Sequence, residues 1–229
     1  MMKKKNYDKI FTSLLQLFPN PKSELNFETS FQLLMAVMMS AQTTDKQVNK
    51  ITDNLFVEIK SPKDVVKITE QELADKISSI NYYKMKAKHI YQTAQILDWL
   101  SQNINKNKLT KKEKECFDKY GYYIPETIEW LMKLPWVGEK TAKVILYVLY
   151  NHSLIAVDTH VHRVSNRLWI VKTEKPLETS SEIEKQVPIK RKKDAHHLLI
   201  LFWRYYCTAR NPKCNNCVLK GECNFYKSN

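Results

Sequence analysis

Residues 134–163, LPWVGEKTAKVILYVLYNHSLIAVDTHVHR, decide the fold, because they place a lysine and an aspartate at two successive helix starts. Lys140 follows a turn of the form Pro-x-x-Gly, and a helix that begins after such a turn offers free backbone N–H groups to an anion such as phosphate. Asp158 precedes the next predicted helix, where its carboxylate can cap the helix and still face a cleft. An amine able to form a Schiff base, an acid to assist it and a phosphate-binding turn suggest chemistry on nucleic acid.

The size and charge of the chain fit a globular protein with a polyanionic partner. Its 229 residues, of which 43% are hydrophobic, can form one large domain or two small ones of roughly 100 residues each. A formal net charge of +13 favours binding to nucleic acid or to an anionic membrane surface. Charge alone does not separate these partners from a merely lysine-rich composition.

No segment has the pattern of an export signal or a membrane span. Residues 1–5 are basic, but residues 10–16 are too polar for a signal core and no small-residue cleavage site follows. The longest apolar run, residues 31–39, is far shorter than the ~20 residues that cross a bilayer. We therefore expect a cytoplasmic or nucleoid-associated protein without membrane contact, whose cysteines are reduced or bound to metal.

Helical periodicity dominates the chain, with apolar residues recurring at intervals of three and four. The chain has only three glycines, which disfavours a turn-rich all-β fold. The sequence thus predicts an all-α protein. Helix starts are predicted from capping residues and from proline at Thr44, at Thr69 with Glu72, at Thr110 with Glu113, at Pro125 with Glu126, and at Thr179 with Glu182.

Four of the five cysteines lie close together near the C-terminus, with the spacing C-x6-C-x2-C-x5-C. Thiolates that converge within one short loop satisfy a tetrahedral zinc ion or a [4Fe–4S] cluster equally well. The spacing therefore predicts a metal centre without selecting the metal. Its ligands are Cys207, Cys214, Cys217 and Cys223.

Together these motifs resemble the helix-hairpin-helix DNA glycosylases, and among them the endonuclease III family, whose motif reads L-P-G-V-G-x-K-T-A and is followed by V-D-T-H. The resemblance extends from the SAQTTD motif at residues 40–45 to Cys223. It implies a two-lobed all-α fold, with a helical barrel lobe at residues 23–152 that bears the hairpin. Residues 1–22 and 153–229 would form the cluster lobe, and the cysteines would hold a [4Fe–4S] cluster rather than zinc.

The lysine-rich residues 101–122 form a connection that is much shorter in the family, and we interpret them as an insertion. A solvated surface helix or loop is the expected role, ahead of a DNA-contacting arm. Cys116, within this segment, is expected to be an ordinary thiol.

The resemblance also implies an activity, that of a bifunctional DNA glycosylase and AP lyase of base excision repair. Its substrate would be double-stranded DNA with damaged pyrimidines or abasic sites, bound by a monomer. Once the damaged nucleotide is extruded from the helix, Lys140 attacks C1′ as a neutral amine and forms a Schiff base. Asp158 stabilises the developing positive charge and relays a proton, and β-elimination then nicks the strand 3′ to the abasic site.

The resemblance further assigns DNA contacts. Gln42 matches a glutamine that fills the gap left by the extruded base, and Tyr82 stands at the place of a leucine wedge. Two family glycines are replaced, one by Asn81 and the first hairpin glycine by Trp136. The remaining predicted DNA contacts are Val137, Gly138, Lys140 and His160.

Two alternatives stay open at this point. A monofunctional, adenine-type glycosylase is disfavoured by Lys140, since serine commonly replaces this lysine in those relatives, and by the short chain beyond Cys223. A non-catalytic DNA-binding module is favoured only by Trp136 and Tyr82.

Overall fold

The computed structural model describes residues 7–228, so the basic residues 1–5 lie outside it. Within this range the fold is 63% helix and has no strand, which confirms the all-α prediction. None of the described helices has the length and apolar character needed to cross a membrane. The helices are α1 (Tyr7–Leu17), α2 (Ser30–Met39), α3 (Asp45–Glu58), α4 (Pro62–Val66), α5 (Glu70–Lys76), α6 (Tyr83–Gln102), α7 (Lys111–Tyr120), α8 (Ile128–Leu131), α9 (Glu139–Tyr150), α10 (Thr159–Arg167), α11 (Pro176–Gln186), α12 (Ile189–Tyr205) and α13 (Asn224–Lys227).

The chain divides into two compact units. The hairpin unit is Glu24–Tyr150 and contains α2 to α9. The cysteine unit joins Met1–Ser23 to Asn151–Asn229, and its described part contains α1 and α10 to α13. The predicted lobes at 23–152 and at 1–22 with 153–229 have nearby boundaries, and their identity as barrel lobe and cluster lobe stays a prediction.

Helix α2 is the central helix of the hairpin unit. All of its residues are buried, as its apolar composition on every face requires, and it packs against α3, α6 and α9. Thr29 caps its start in a capping box with Gln32. The buried Gln32 amide also donates to the carbonyl oxygens of Phe56 and Ile59, both at 2.9 Å. One satisfied polar side chain therefore ties the start of α2 to the end of α3.

Capping residues predicted several helix starts correctly, but the start at Pro125 and Glu126 is wrong. Helix α8 begins later, after Thr127, whose side chain accepts from the Trp130 N–H. The Glu126 N–H instead donates to Glu113 of α7 at 2.8 Å. The confirmed caps are Thr44, Thr69 and Thr110.

The predicted helix start at Thr179 is also wrong, because Thr179 and Glu182 lie inside α11. This helix begins at Pro176, which suits the first helical turn. The Thr179 hydroxyl lies 2.6 Å from His162 Nδ1 and so links α11 to α10.

The lysine-rich residues 101–122 contain a 3-10 turn at Lys106–Lys108 and helix α7. The lysines of α7 are exposed, whereas its opposite face packs on the rest of the hairpin unit and includes the buried Glu113. Cys116 is half-buried, and its Sγ lies 3.2 Å from Ser30 Oγ at the start of α2. The status of the segment as an insertion stays a prediction.

The cysteine unit has its own hydrophobic core. Helix α12 packs against α1 and α10, and α10 also packs against α11. Cys207 and Cys223 belong to this core, so the cysteine loop is continuous with it. The core includes Ile10, Phe11, Leu14, Val161, Val164, Leu168, Ile183, Leu198, Leu199 and Phe202.

The buried His197 of α12 predicts a loss of stability in acid. Burial lowers the pKa of His197 to about 4, below the usual 6.5. Between these values only the unfolded chain binds the proton, so the free energy of unfolding falls as the pH drops from 6.5 to 4, by about 3 kcal/mol. In urea titrations across this pH range, the free energy of unfolding should fall less steeply with decreasing pH for His197→Gln than for the wild type. Equal slopes would contradict the assignment.

Candidate active site and metal centre

The turn before α9 places Lys140 in the first helical turn. The Val137 N–H donates to the Leu134 carbonyl at 3.2 Å, and the first helical bond runs from Ala142 to the Gly138 carbonyl at 2.9 Å. Gly138 and Lys140 are exposed, whereas Val137 is buried. Lys140 therefore lies at the positive end of the helix dipole, directly after the turn. Because the Val137 N–H already bonds within the turn, its phosphate contact stays a prediction.

Trp136, in place of a hairpin glycine, adopts the left-handed backbone conformation with φ of 65°. This conformation costs about 1–2 kcal/mol for a residue with a Cβ, and glycine takes it freely. The indole stacks on the His89 ring, with centroids 4.8 Å apart and planes 24° apart. The stack offsets part of the strain, so the turn keeps a glycine-like backbone despite the large side chain.

Asp45 is a candidate functional residue to which the sequence assigned no role at the site. It is the first residue of α3 and lies close enough to Lys140 for their charges to interact. Burial raises the pKa of Asp45, and the positive charge of Lys140 opposes that shift. The hairpin unit thus supplies a carboxyl group beside the lysine. Its only sequence signal was its position in the SAQTTD motif.

Gln42 and Tyr82 share two properties in the hairpin unit. Both side chains are exposed, and both residues have left-handed backbones, with φ of 53° and 59°. Such strain in residues other than glycine is concentrated at functional sites. The geometry therefore supports a role for both residues beyond packing.

Asp158 caps α10 in the cysteine unit, as its sequence position predicts. Its Oδ1 accepts from the backbone N–H groups of His160 at 2.9 Å and Val161 at 2.8 Å. The buried His196 bonds to the Ala156 carbonyl at 3.0 Å and so holds the segment just before the cap. The carboxyl group is half-buried, and the two backbone donors fix its orientation.

His160 is packed within the cysteine unit. Its ring lies parallel to that of Trp203, with centroids 3.6 Å apart, and its Nδ1 lies 3.2 Å from Arg163 Nη2. This arrangement gives the ring a structural role, and the DNA contact assigned to His160 stays a prediction.

The four C-terminal cysteines line one partly open cavity. Within residues 7–228 no three His, Cys, Asp or Glu side chains are grouped closely enough to hold a single metal ion. Four cysteine thiolates that face one cavity are the ligand set of a [4Fe–4S] cluster. The residues present therefore fit the cluster that the resemblance implies.

Arg167, the last residue of α10, binds the cysteine loop. It donates to Cys207 Sγ at 3.5 Å and to the carbonyl oxygens of Thr208 and Ala209 at 2.8 and 3.2 Å. Cys223 Sγ lies 3.4 Å from the Arg167 carbonyl oxygen. One arginine thus connects the cysteines at the two ends of the loop to α10.

Comparison with known proteins identifies the family. The sequence model of the HhH-GPD superfamily of base excision DNA repair proteins matches residues 35–189, and that of the iron-sulfur binding domain of endonuclease III matches residues 207–223. The endonuclease III of Rickettsia conorii is 37% identical over 219 residues, which cover 96% of this chain and 95% of the relative. This chain belongs to the endonuclease III family.

Other endonuclease III proteins support the same assignment. That of Escherichia coli strain K12 is 35% identical over 216 residues, covering 94% of this chain and 93% of the relative. A solved structure of a trapped endonuclease III–DNA covalent intermediate matches with a TM-score of 0.83 at 35% identity, covering 100% of this chain and 99% of that one.

Membership in the endonuclease III family confirms the enzyme class and the cofactor expected from the sequence. The chain is a DNA glycosylase with AP lyase activity in base excision repair, and its cofactor is a [4Fe–4S] cluster. The zinc ion, the adenine-type enzyme and the non-catalytic module are thereby set aside.

The contacts of Arg167 predict that its loss weakens the cluster loop of this endonuclease III. Arg167→Gln removes charge-assisted hydrogen bonds to the loop, each worth about 1.5–3 kcal/mol, and should speed cluster loss to a chelator. The decay of the visible absorbance of the cluster measures this rate. Arg210→Gln, an exposed arginine of the same loop, is the matched control. Equal decay rates for the two variants would contradict the role of Arg167.

Proposed function

We propose that this enzyme removes oxidised pyrimidines from double-stranded DNA and nicks the strand at the resulting abasic site, acting as a monomer through Lys140 and Asp158. The observation that carries the proposal is the position of Lys140 in the first turn of the helix after the hairpin, with the Asp45 carboxyl nearby. A covalent DNA intermediate has been trapped for a relative with 35% identity, which supports a covalent mechanism.

The proposed chemistry begins with extrusion of the damaged nucleotide, because C1′ cannot be attacked inside the stacked duplex. The neutral amine of Lys140 forms a bond to C1′ while the glycosidic bond breaks and the base leaves with a proton. Asp158 stabilises the positive charge that develops on the sugar and relays the proton. Transfer of a proton from the lysine nitrogen to O4′ then breaks the C1′–O4′ bond, which opens the sugar ring and leaves a protonated Schiff base. This Schiff base loses a C2′ proton, and the 3′ phosphate leaves by β-elimination.

The proposal also assigns the remaining contacts. Gln42 and Tyr82 enter the helix at the extruded nucleotide, and the turn binds phosphate with Val137 and Gly138 at the positive end of α9. His160 contributes to the backbone contacts. A DNA substrate places the activity in the compartment that holds the chromosome, which supports a cytoplasmic or nucleoid location.

The cluster ligands of the proposal are Cys207, Cys214, Cys217 and Cys223. When bound, the cluster supplies a rigid cross-link of the loop and no step of the sugar chemistry. The basic side chains of the loop, among them Lys213 and Lys220, then face a DNA backbone from a fixed framework.

A combined trapping and nicking assay tests the proposal. The protein should excise thymine glycol from a duplex, nick abasic DNA, and form a covalent adduct when borohydride is present. A duplex with adenine opposite a damaged purine serves as the comparison and should not be cut. Excision from that comparison duplex would overturn the assignment. The absence of a covalent adduct with the thymine-glycol duplex or with abasic DNA would also overturn it.

A further inference from the structure

Lys86 is a buried cation that the proposed mechanism does not use. It lies on α6 with only 2% of its surface exposed. Its ammonium donates to the carbonyl oxygens of Met39 at 2.7 Å and Ala41 at 2.6 Å, and to Thr43 Oγ1 at 3.1 Å. Burial lowers the pKa of Lys86 to about 8, so at pH 7 the amine is mostly charged and has a proton for each of the three acceptors.

The three acceptors of Lys86 lie on both sides of Gln42. Met39 is the last residue of α2, so the ammonium also satisfies the negative end of that helix. Ala41 and Thr43 are the direct neighbours of Gln42. Lys86 therefore fixes the chain before and after the left-handed backbone of Gln42.

Asn81 holds Gln42 itself. The Asn81 side-chain amide donates to the Gln42 carbonyl at 2.7 Å. Asn81 directly precedes Tyr82, the left-handed N-cap residue just before α6. A glycine at position 81 has no side chain and cannot make this bond. The two exposed residues Gln42 and Tyr82 are thus joined through Asn81.

We infer that Asn81 and Lys86 are positioning residues that hold Gln42 and Tyr82 in one fixed arrangement. We call this pair of side chains the reader, because it contacts the DNA duplex and sets recognition of the nucleotide opposite the lesion. The inference rests on the proposed function, in which the side chains of Gln42 and Tyr82 both enter the DNA helix. Lys86 lies on α6 and Asn81 lies two residues before this helix. A shift of the first turn of α6 would therefore move Tyr82 and the Gln42 loop together. The reader serves base extrusion in duplex DNA and is not needed where no opposite strand exists.

Asn81→Ala is the sharpest test, because Asn81 is exposed and its loss removes one hydrogen bond to Gln42. The measured quantity is the ratio of cleavage rates on duplex and on single-stranded abasic DNA. Loss of one hydrogen bond predicts a fall of this ratio by about five-fold. Asn54→Ala, an exposed asparagine on α3 of the same unit, is the matched control and should keep the wild-type ratio.

A double-mutant cycle shows whether Asn81 acts through Gln42. In a Gln42→Ala background, Asn81→Ala should lower the ratio by less than two-fold, since coupled residues are not additive. Lys86→Met should lower the ratio at least as much as Asn81→Ala, with its thermal midpoint reporting the cost to the fold. Additive effects of Gln42 and Asn81, or an equal fall on both substrates, would overturn the inference.

Fluorescence separates this inference from the proposed function. A duplex with an abasic analogue and 2-aminopurine as the opposite base brightens when binding unstacks that base. Wild-type protein should brighten it more than Asn81→Ala does at saturation. If the wild type cuts no DNA but this difference is present, the proposed function fails and the reader stands. Equal brightening would overturn the reader even in an active enzyme.

Discussion

Lys140→Gln is expected to lose borohydride trapping completely and to nick abasic DNA at least about ten-thousand-fold more slowly, as enzymes do when their nucleophile is removed. The amide of glutamine cannot form a Schiff base. Lys140 is exposed at the start of α9, so the variant should fold normally. Gel analysis of trapped adducts and nicked product gives both readings.

Lys63→Gln is the matched control for this result. Lys63 is an exposed lysine of α4 in the same unit, so the variant carries the same change of charge. It should trap and nick like the wild type. A Lys140→Gln protein that still forms the adduct would assign the nucleophile to another amine.

Asp158 has two roles that substitution can separate. Asn caps helices about as well as Asp, so Asp158→Asn should keep the stability of α10 while losing the charge. Asp158→Ala should lose about 1 kcal/mol of unfolding free energy as well, because the His160 and Val161 N–H groups lose their acceptor. Both variants should excise the damaged base about a hundred-fold to ten-thousand-fold more slowly.

Measurements of excision rate and urea unfolding on the two variants decide the matter. A fully active Asp158→Asn protein would reduce Asp158 to a cap. An inactive but equally stable Asp158→Ala protein would instead show that the cap contributes little to the fold.

The sequence predicted what is decided locally. Thr44, Thr69 and Thr110 were recognised as caps because a threonine side chain can accept from a backbone N–H a few residues ahead. In the structure each of the three does so. The start at Pro125 and Glu126 failed because Glu113, thirteen residues earlier, takes the Glu126 N–H. A partner contributed by another helix leaves no signal in a local pattern.

In the candidate site, too, the sequence predicted the residues of local motifs but not the contacts between distant segments. The motif supplied Lys140, Asp158 and the cysteines, whereas the closeness of Asp45 to Lys140 arises only when α3 and α9 fold together. The backbone of Trp136 was also hidden, because its stack on His89 joins two distant segments.

Helix α10 has its capping acid at one end and the arginine that binds the cysteine loop at the other. At nine residues it is about 14 Å long, and it packs against α11 and α12 between these two ends. The capping acid and the cysteine loop are therefore held by the same short helix.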